Sequence, residues 1–171
     1  MIPFKPCDKV KSKQISHHFI VLDFNAITDF LYVGTCPQNA TDVQQLGNFS
    51  IDVVLNLQSD QDLDRLGIQW QQLAQLYDEV AIEHCRLPMT DFDENDISNL
   101  LPYAVSQLAA FLSAQKKTYL HCTAGRERSP TVAAGWLAIH GGLSLSDAIE
   151  HVRTARHTNP YEDMLKALVK N

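Results

Sequence analysis

The sequence predicts an α/β fold with a central mixed, largely parallel sheet flanked by helices. Short apolar runs typical of strands alternate along the chain with amphipathic runs typical of helices, which is the pattern of α/β layer proteins. The strongest strand, residues 52–57, is rich in Val and Leu at successive positions, as expected of a strand buried on both faces. A chain of 171 residues with 45% hydrophobic residues suits one domain.

The N-terminal part is predicted to be an arm followed by the first strand and helix. Residues 1–23 mix Pro, Lys and His with one apolar patch, so they are interpreted as an arm that partly packs on a domain over residues 24–171. Residues 30–33 are a β-rich run that ends at a glycine, which predicts a strand. Thr41 is the expected N-cap of a helix that ends at Phe49.

Three acidic residues follow the strand over residues 52–57. Asp60, Asp62 and Asp64 are interpreted as a solvated loop without assigned chemistry, because their spacing lacks the rest of a calcium-binding EF-hand loop. A helix is then predicted over residues 70–77 from its apolar face, and a strand over residues 83–87.

The second half is predicted to hold one long helix, the last strand and three further helices. An acidic loop over residues 90–95 precedes an amphipathic helix over residues 97–114, where Pro102 is expected near the first turn, since proline breaks a helix interior. Residues 118–122 are the last predicted strand. The remaining predicted helices are 131–139, one capped by Ser144 or Ser146 through 156, and 161–170.

The loop between the last strand and the next helix carries the most specific motif, HCTAGRERSP over residues 121–130. A helix N-terminus directs unpaired N–H groups and a positive dipole at one point, which suits an anion and favours a thiolate. Cys122 is therefore the candidate nucleophile, and the planar guanidinium of Arg128 matches two phosphate oxygens. The pattern predicts phosphate-ester hydrolysis through a phosphocysteine. The loop residues expected around the phosphate are Thr123, Ala124, Gly125, Arg126 and Glu127.

A thiolate mechanism also needs an acid that protonates the leaving oxygen. The acidic loop over residues 90–96 supplies Asp91 as the first candidate and Asp93 as the second, and the sequence leaves the choice open. The same carboxylate would then activate water against the phosphocysteine. Ser129 is expected to hydrogen-bond the sulfur or to cap the helix, and His121 to order the loop rather than act as a base.

Composition narrows the partners and the compartment. A net charge of −6 argues against a nucleic-acid partner, and no apolar run approaches the 18 residues of a membrane span. Four scattered cysteines without a CxxC pair do not form a disulfide scaffold, so the cytoplasm is the expected location. The predicted reaction requires neither a metal nor another cofactor, and a monomer is expected.

The motif His-Cys-x-x-Gly-x-x-Arg-Ser with an upstream acidic loop resembles the cysteine-dependent protein tyrosine phosphatase superfamily, specifically its compact dual-specificity branch. Further segments from Tyr32 onward, including residues 33–38 and 56–60, resemble the catalytic domain of plant starch-excess glucan phosphatases. The resemblance implies a dual-specificity phosphatase-like fold with Cys122 as nucleophile and Arg128 as phosphate-binding residue. It also places the general acid at Asp91 and a substrate-channel aromatic at Phe92.

The expected function is a metal-independent phosphomonoesterase of dual-specificity protein phosphatase type, acting on phosphotyrosine, phosphoserine or phosphothreonine. A phosphorylated glucan or other phosphorylated carbohydrate is the alternative substrate. A rhodanese-like sulfurtransferase fits the loop poorly, because it needs no upstream acid.

Two features of the charged residues leave alternatives open. Glu127 stands where the superfamily commonly has glycine, so it is read as a structural residue, as an aid to proton transfer, or as the mark of a catalytically weak phosphate-binding module. Arg153, Arg156 and His157 are interpreted as a solvated helix face, with steering of anionic substrates as the alternative.

Overall fold

The computed structural model describes residues 21–170, which form a five-stranded sheet with helices on both faces. The strands are β1 (Phe24–Ala26), β2 (Leu31–Gly34), β3 (Val53–Gln58), β4 (Glu83–Met89) and β5 (Thr118–His121). The helices are α1 (Ala40–Asn48), α2 (Asp60–Leu66), α3 (Trp70–Glu79), α4 (Glu94–Ser113), α5 (Arg128–Ile139), α6 (Leu145–Ala155) and α7 (Glu162–Lys170).

The sheet has the strand order β1-β2-β5-β3-β4. The edge strand β1 is antiparallel to β2, and the other neighbouring pairs are parallel. The prediction of a mixed, largely parallel sheet is therefore confirmed. In the register, His121 at the end of β5 lies opposite both Gly34 of β2 and Asn56 of β3. The carboxyl ends of these strands thus meet at one edge, where ligands bind in open α/β sheets.

Each face of the sheet is covered by its own hydrophobic core. On one face α4 to α7 enclose the larger core, and α5 is buried along nearly its whole length among them. On the other face α1 and α3 pack their apolar sides, including Leu46, Leu73 and Tyr77, against the sheet. Every residue of β3 is buried, as its apolar sequence predicts.

The interpretation of the three acidic residues as a solvated loop is wrong. Asp60 begins α2, and Ser59 and Asp62 form a reciprocal capping box in which each side chain accepts from the other residue's backbone N–H. The box turns Asp62 into the protein, where it is 1% exposed, while Asp60 and Asp64 stay exposed. A Ser followed three residues later by an acid was the sequence signal for this helix start.

The starts of two further helices differ from the predictions. Asn39, rather than Thr41, caps α1, since its side chain accepts from the backbone N–H of Asp42. Asp93 caps α4, which starts earlier than predicted, so Pro102 lies inside the helix rather than near its first turn. The side chain of Pro102 is exposed, which allows the interruption to face solvent.

The predicted arm over residues 1–23 lies almost wholly outside the described residues. Of its last three residues, Asp23 is tied to the segment after β2, since its N–H donates to Thr35 Oγ1 (2.9 Å) and its carbonyl accepts from Thr35 N–H (2.9 Å). Within residues 21–170 no helix is long and apolar enough to cross a membrane.

Gly34 gives a test of how tightly the end of β2 is packed. A Cβ at this position would lie 2.6 Å from the Asp23 carbonyl oxygen and would overlap Phe24 and the Tyr119 hydroxyl. We expect Gly34→Ala to lower the free energy of unfolding in urea by about 1–3 kcal/mol. Gly47→Ala is the matched control: Gly47 lies within α1 and a Cβ there meets its nearest neighbours only at 3.8 Å, so stability should rise by up to about 1 kcal/mol. Equal stability of both variants would contradict the packing described.

Candidate active site

The candidate site lies where four parallel strands end. Cys122 follows β5, Asp91 follows β4, Asp62 lies in the first turn of the helix after β3, and Cys36 follows β2. The structure thus brings the two sequence-predicted loops, one with the cysteine and one with the acids, to the same edge of the sheet.

The backbone carbonyls of the cysteine loop are held from outside the loop. Each carbonyl of residues 122–127 accepts a hydrogen bond from an N–H group. Three donors are side-chain groups: His121 Nδ1–H bonds the Cys122 carbonyl (2.9 Å), and Arg156 Nη2–H and Nε–H bond the carbonyls of Ala124 (3.3 Å) and Gly125 (2.9 Å). The other three are backbone N–H groups: that of Cys36 bonds Thr123 (3.0 Å), that of Asn159 bonds Arg126 (2.7 Å) and that of Thr131 bonds Glu127 (2.9 Å). In a trans peptide the N–H that follows a carbonyl points the opposite way. The N–H groups of residues 123–128 are therefore turned toward the inside of the loop, where they can bind an anion.

Gly125 allows the loop to press against the end of β2. It has a φ of +63°, a left-handed conformation that favours glycine, and a Cβ would overlap the backbone of Gly34. The sequence motif requires glycine here for this close approach.

The Cys122 sulfur sits beside the N-terminus of the twelve-residue helix α5 and is almost fully buried. Ser129 Oγ donates a hydrogen bond to Cys122 Sγ at 3.4 Å, the contact expected for this hydroxyl. A hydrogen bond to the sulfur stabilises its negative charge and the departing thiolate.

His121 is buried next to the nucleophile, but its ring hydrogen-bonds the backbone and not the sulfur. Burial lowers the pKa of His121 to about 4, so the ring is neutral at pH 7. Since its Nδ1–H holds the Cys122 carbonyl, the ring orders the loop, which is the role that the sequence favours.

Arg128 is a fully buried arginine whose two edges have different neighbours. Its Nη1 donates to Asp62 Oδ2 (2.7 Å) and to the Met89 carbonyl (2.8 Å). On the other edge, Nη2 lies 3.5 Å from Thr123 Oγ1, and Nε lies 3.1 Å from Asp91 Oδ1 as an ion pair. Because Nη1 is anchored, the Nε–Nη2 edge is the one that can take two phosphate oxygens.

Asp62 is a site residue that the sequence reasoning missed. Although burial raises its pKa, the hydrogen bond and charge of Arg128, together with the donors of Ser59, hold the pKa of Asp62 below its usual value. The carboxylate therefore remains ionised and offsets the buried charge of Arg128, with both side chains 1% exposed.

The structure places the two candidate acids differently. Asp91 is 18% exposed and faces Arg128, whereas Asp93 is exposed and accepts from the backbone N–H of Asp96 (3.0 Å) as the cap of α4. Geometry therefore favours Asp91 over Asp93 as the acid. Phe92, between them, has a φ of +61° and is 74% exposed, so its ring projects into solvent beside Asp91.

Glu127 is drawn away to the start of α7. Its Oε2 accepts from the Tyr161 hydroxyl at 3.3 Å. Burial, followed by the nearby carboxylates of Glu127 and Asp91, raises the pKa of Tyr161, so the hydroxyl stays protonated as a donor. The arrangement gives the Glu127 side chain a structural partner within the domain.

The interpretation of Arg156 as part of a solvated helix face is wrong. Arg156 is 8% exposed and donates to loop carbonyls, whereas Arg153 pairs with Glu162 at the surface (2.8 Å) and His157 is exposed. Within residues 21–170, no three His, Cys, Asp or Glu side chains lie together as metal ligands.

Comparisons with known proteins agree with this arrangement. The sequence profile of the family "Dual specificity phosphatase, catalytic domain" matches residues 31–170. The amyloplastic phosphoglucan phosphatase DSP4 of Castanea sativa is 31% identical over 154 residues, which are 88% of this chain and 40% of that protein. Dual specificity protein phosphatase 7 of Homo sapiens is 27% identical over 128 residues, 74% of this chain and 27% of that protein.

Among solved structures, the crystal structure of PTPMT1 superposes with a TM-score of 0.68 at 20% identity, covering 86% of this chain and 92% of that one. The chain belongs to the dual specificity phosphatase catalytic-domain family, whose members are cysteine-based phosphatases. It spans less than half the length of the two curated relatives described above.

The buried ion pair predicts that loss of the Asp62 charge destabilises the protein much more than loss of the Asp60 charge. Asp62→Asn removes the fully buried counter-charge of Arg128 and leaves only the ion pair with the partly exposed Asp91, so we expect the free energy of unfolding to fall by about 3–5 kcal/mol. Asp60→Asn is the control, since Asp60 pairs with Arg86 (2.6 Å) but is 85% exposed, and its loss should cost under about 1 kcal/mol. Urea unfolding measures both, and equal losses would contradict the account of Arg128.

His121 predicts a dependence of stability on pH. The unfolded chain binds a proton at His121 below about pH 6.5, but the folded protein does so only near pH 4, so stability falls as pH falls through this window. We expect His121 to contribute a slope of up to about 1.4 kcal/mol per pH unit. His121→Asn keeps a donor near the Nδ1 position and should flatten the curve of unfolding free energy against pH. Parallel curves for the two proteins would show that the folded His121 titrates normally.

Proposed function

We propose that this chain hydrolyses phosphomonoesters through a phosphocysteine intermediate. The observation that carries the proposal is the meeting of Cys122, Arg128 and Asp91 at one edge of the sheet, with the loop N–H groups turned inward. The substrate phosphate displaces Asp91 from Arg128 Nε, and its oxygens bind to the Nε–Nη2 edge of Arg128 and to these N–H groups. The Cys122 thiolate attacks phosphorus, the phosphorus–oxygen bond to the leaving group breaks, and protonated Asp91 gives its proton to the leaving oxygen.

The second step restores the enzyme. The Asp91 carboxylate takes a proton from water as that water attacks the phosphocysteine, the phosphorus–sulfur bond breaks, and inorganic phosphate is released. Ser129, by donating to the sulfur, stabilises the thiolate that leaves. The charge that develops on the phosphoryl oxygens is stabilised by donors already in place, which is the largest contribution in many such sites.

A phosphorylated protein is the first proposed substrate. Support comes from the family itself and from the similarity to dual specificity protein phosphatase 7.

A phosphorylated glucan is the second candidate. Support comes from the similarity to two plant phosphoglucan phosphatases, DSP4 and LSF1, over 88% and 86% of this chain. The exposed ring of Phe92 beside Asp91 adds an apolar surface of the kind on which sugar rings stack.

We also propose that the chain acts in the cytoplasm and as a monomer. A reducing compartment keeps a nucleophilic cysteine in its thiol form, and the three described cysteines are all free thiols. Gel filtration of the purified chain tests the monomer, and a single peak near 19.2 kDa is expected.

Assays with aryl phosphates separate the roles of the three side chains. Cys122→Ser should abolish phosphate release from p-nitrophenyl phosphate in the presence of a chelator. Asp91→Asn should lower kcat about 100-fold or more with phenyl phosphate and less with p-nitrophenyl phosphate, because a better leaving group needs less help from an acid.

Asp93→Asn is the matched control for Asp91→Asn. An asparagine amide oxygen can still accept from the Asp96 N–H and cap α4, so stability should change by less than about 1 kcal/mol, and the ratio of the two aryl phosphate rates should stay that of the wild type. Release of phosphate by Cys122→Ser, or an equal effect of both aspartate variants, would contradict the mechanism.

The substrate class is tested by phosphate release from phosphopeptides and from phosphorylated amylopectin under identical conditions. A higher kcat/KM for the peptides supports the first candidate, and a higher value for the glucan supports the second. Tight binding of either substrate by the wild type without product would identify a phosphate-binding module instead.

A further inference from the structure

The hydrogen bonds that the structure gives Arg156 go to two places: the outer side of the cysteine loop and the side chains of Asp23 and Asn25. The side chain lies just after α6 and is 8% exposed. Its Nε donates to the Gly125 carbonyl (2.9 Å) and its Nη2 to the Ala124 carbonyl (3.3 Å). Its Nη1 donates to Asp23 Oδ2 (3.0 Å) and to Asn25 Oδ1 (2.9 Å).

We infer that Arg156 is a positioning residue, which fixes the direction of the two central N–H groups of the cysteine loop. By holding the Ala124 and Gly125 carbonyls outward, it turns the N–H groups of Gly125 and Arg126 toward the bound phosphate. The inference rests on the proposed function, since those N–H groups matter only if the loop binds a phosphoryl group.

The two central carbonyls depend on this side chain more than their neighbours do. The flanking carbonyls of Thr123 and Arg126 are held by backbone N–H groups of Cys36 and Asn159. Gly125 has no Cβ and a φ of +63°, so its peptide planes are less restricted than those of other residues. One guanidinium fork therefore keeps both planes in the anion-binding orientation.

The first strand keeps Arg156 in place. A cavity of about 410 Å³ adjoins the side chain, so packing alone would leave the guanidinium room to move. Asp23 supplies a counter-charge, and Asn25 supplies a second acceptor on the same nitrogen. The segment 23–25, at the edge of the sheet, thus contributes to the geometry of the active-site loop through Arg156.

The inference predicts a larger effect on the transition state than on the ground state. The loop N–H groups face the oxygens on which charge accumulates as phosphorus becomes five-coordinate, so misdirecting two of them weakens binding of the transition state most. Vanadate, which adopts that geometry with the thiolate, should then lose more affinity than inorganic phosphate.

The test compares Arg156→Met and Arg156→Lys with Arg153→Met. Arg153 is the matched control, because it lies one turn earlier near the end of α6 and makes a surface ion pair with Glu162. The measurements are kcat and KM for p-nitrophenyl phosphate, inhibition by vanadate and by phosphate, and circular dichroism to verify folding.

We expect Arg156→Met to lower kcat by about 10–100-fold with KM changed by less than about 3-fold, since removal of one oxyanion donor costs about 100–1000-fold in other enzymes. The inhibition constant of vanadate should rise by the same factor as kcat falls, and that of phosphate by less than about 3-fold. Arg156→Lys should recover only part of the loss, because one ammonium group cannot bond both carbonyls as the fork does. Arg153→Met should match the wild type.

Two results would overturn the inference. One is a folded Arg156→Met protein with wild-type kcat and vanadate affinity, and the other is an equal loss of vanadate and phosphate affinity, which indicates a general loss of structure. If Arg156→Met does not fold, the double variant Asp23→Asn with Asn25→Ala removes the contacts that hold Arg156 in place. We expect the inhibition constant of vanadate to rise by about 2–10-fold in this variant. An unchanged constant would contradict the inference.

The proposed hydrolysis and the positioning role of Arg156 can be tested independently of each other. If the wild type releases no phosphate from any ester, hydrolysis is refuted, and calorimetric titration with vanadate and phosphate still decides the role of Arg156. A selective loss of vanadate affinity in Arg156→Met supports positioning, and unchanged affinities refute it.

Discussion

The buried guanidinium of Arg128 is the interaction on which the site depends. An arginine 1% exposed is tolerated only with a counter-charge and further acceptors, and Asp62 and the Met89 carbonyl supply them. This requirement joins the ends of β3 and β4 to the start of α5. Because Nη1 is committed to these partners, the remaining edge keeps one orientation, which is the condition for recognising two phosphate oxygens at once.

The backbone of the cysteine loop is likewise held in one orientation by the surrounding domain. An anion-binding loop needs its N–H groups to converge, but six consecutive peptide planes have no intrinsic reason to turn the same way. Here the surrounding domain fixes them by holding the carbonyls, with donors from His121, Cys36, Asn159 and Arg156. The cost of ordering the loop is met during folding, so a phosphoryl group meets donors that are already aligned.

Much of this architecture could be predicted from the sequence, and the exceptions have physical causes. The apolar run of β3 identified a buried strand in a parallel sheet, and the cysteine motif located the edge where ligands bind. Asp62 was missed for two reasons. In the sequence, only the spacing of Ser59 and Asp62 distinguishes a helix-capping box from an acidic surface loop. The role of Asp62 also depends on Arg128, which is 66 positions away. Long-range partners of this kind are set by tertiary packing, so local patterns do not reveal them. The roles assigned to Cys122 and Asp91 stay predictions, although the geometry brings them together.

A crystal structure of the vanadate complex tests the central claim most directly, namely that the loop and Arg128 form a cradle before the phosphoryl group arrives. We predict vanadium bonded to Cys122 Sγ, two equatorial oxygens on Arg128 Nε and Nη2, and Asp62 still on Nη1. The carbonyls of Ala124 and Gly125 should remain on Arg156, with the loop backbone unchanged within about 1 Å. Vanadate bound away from Cys122, Arg128 released from Asp62, or flipped loop peptides would contradict the account.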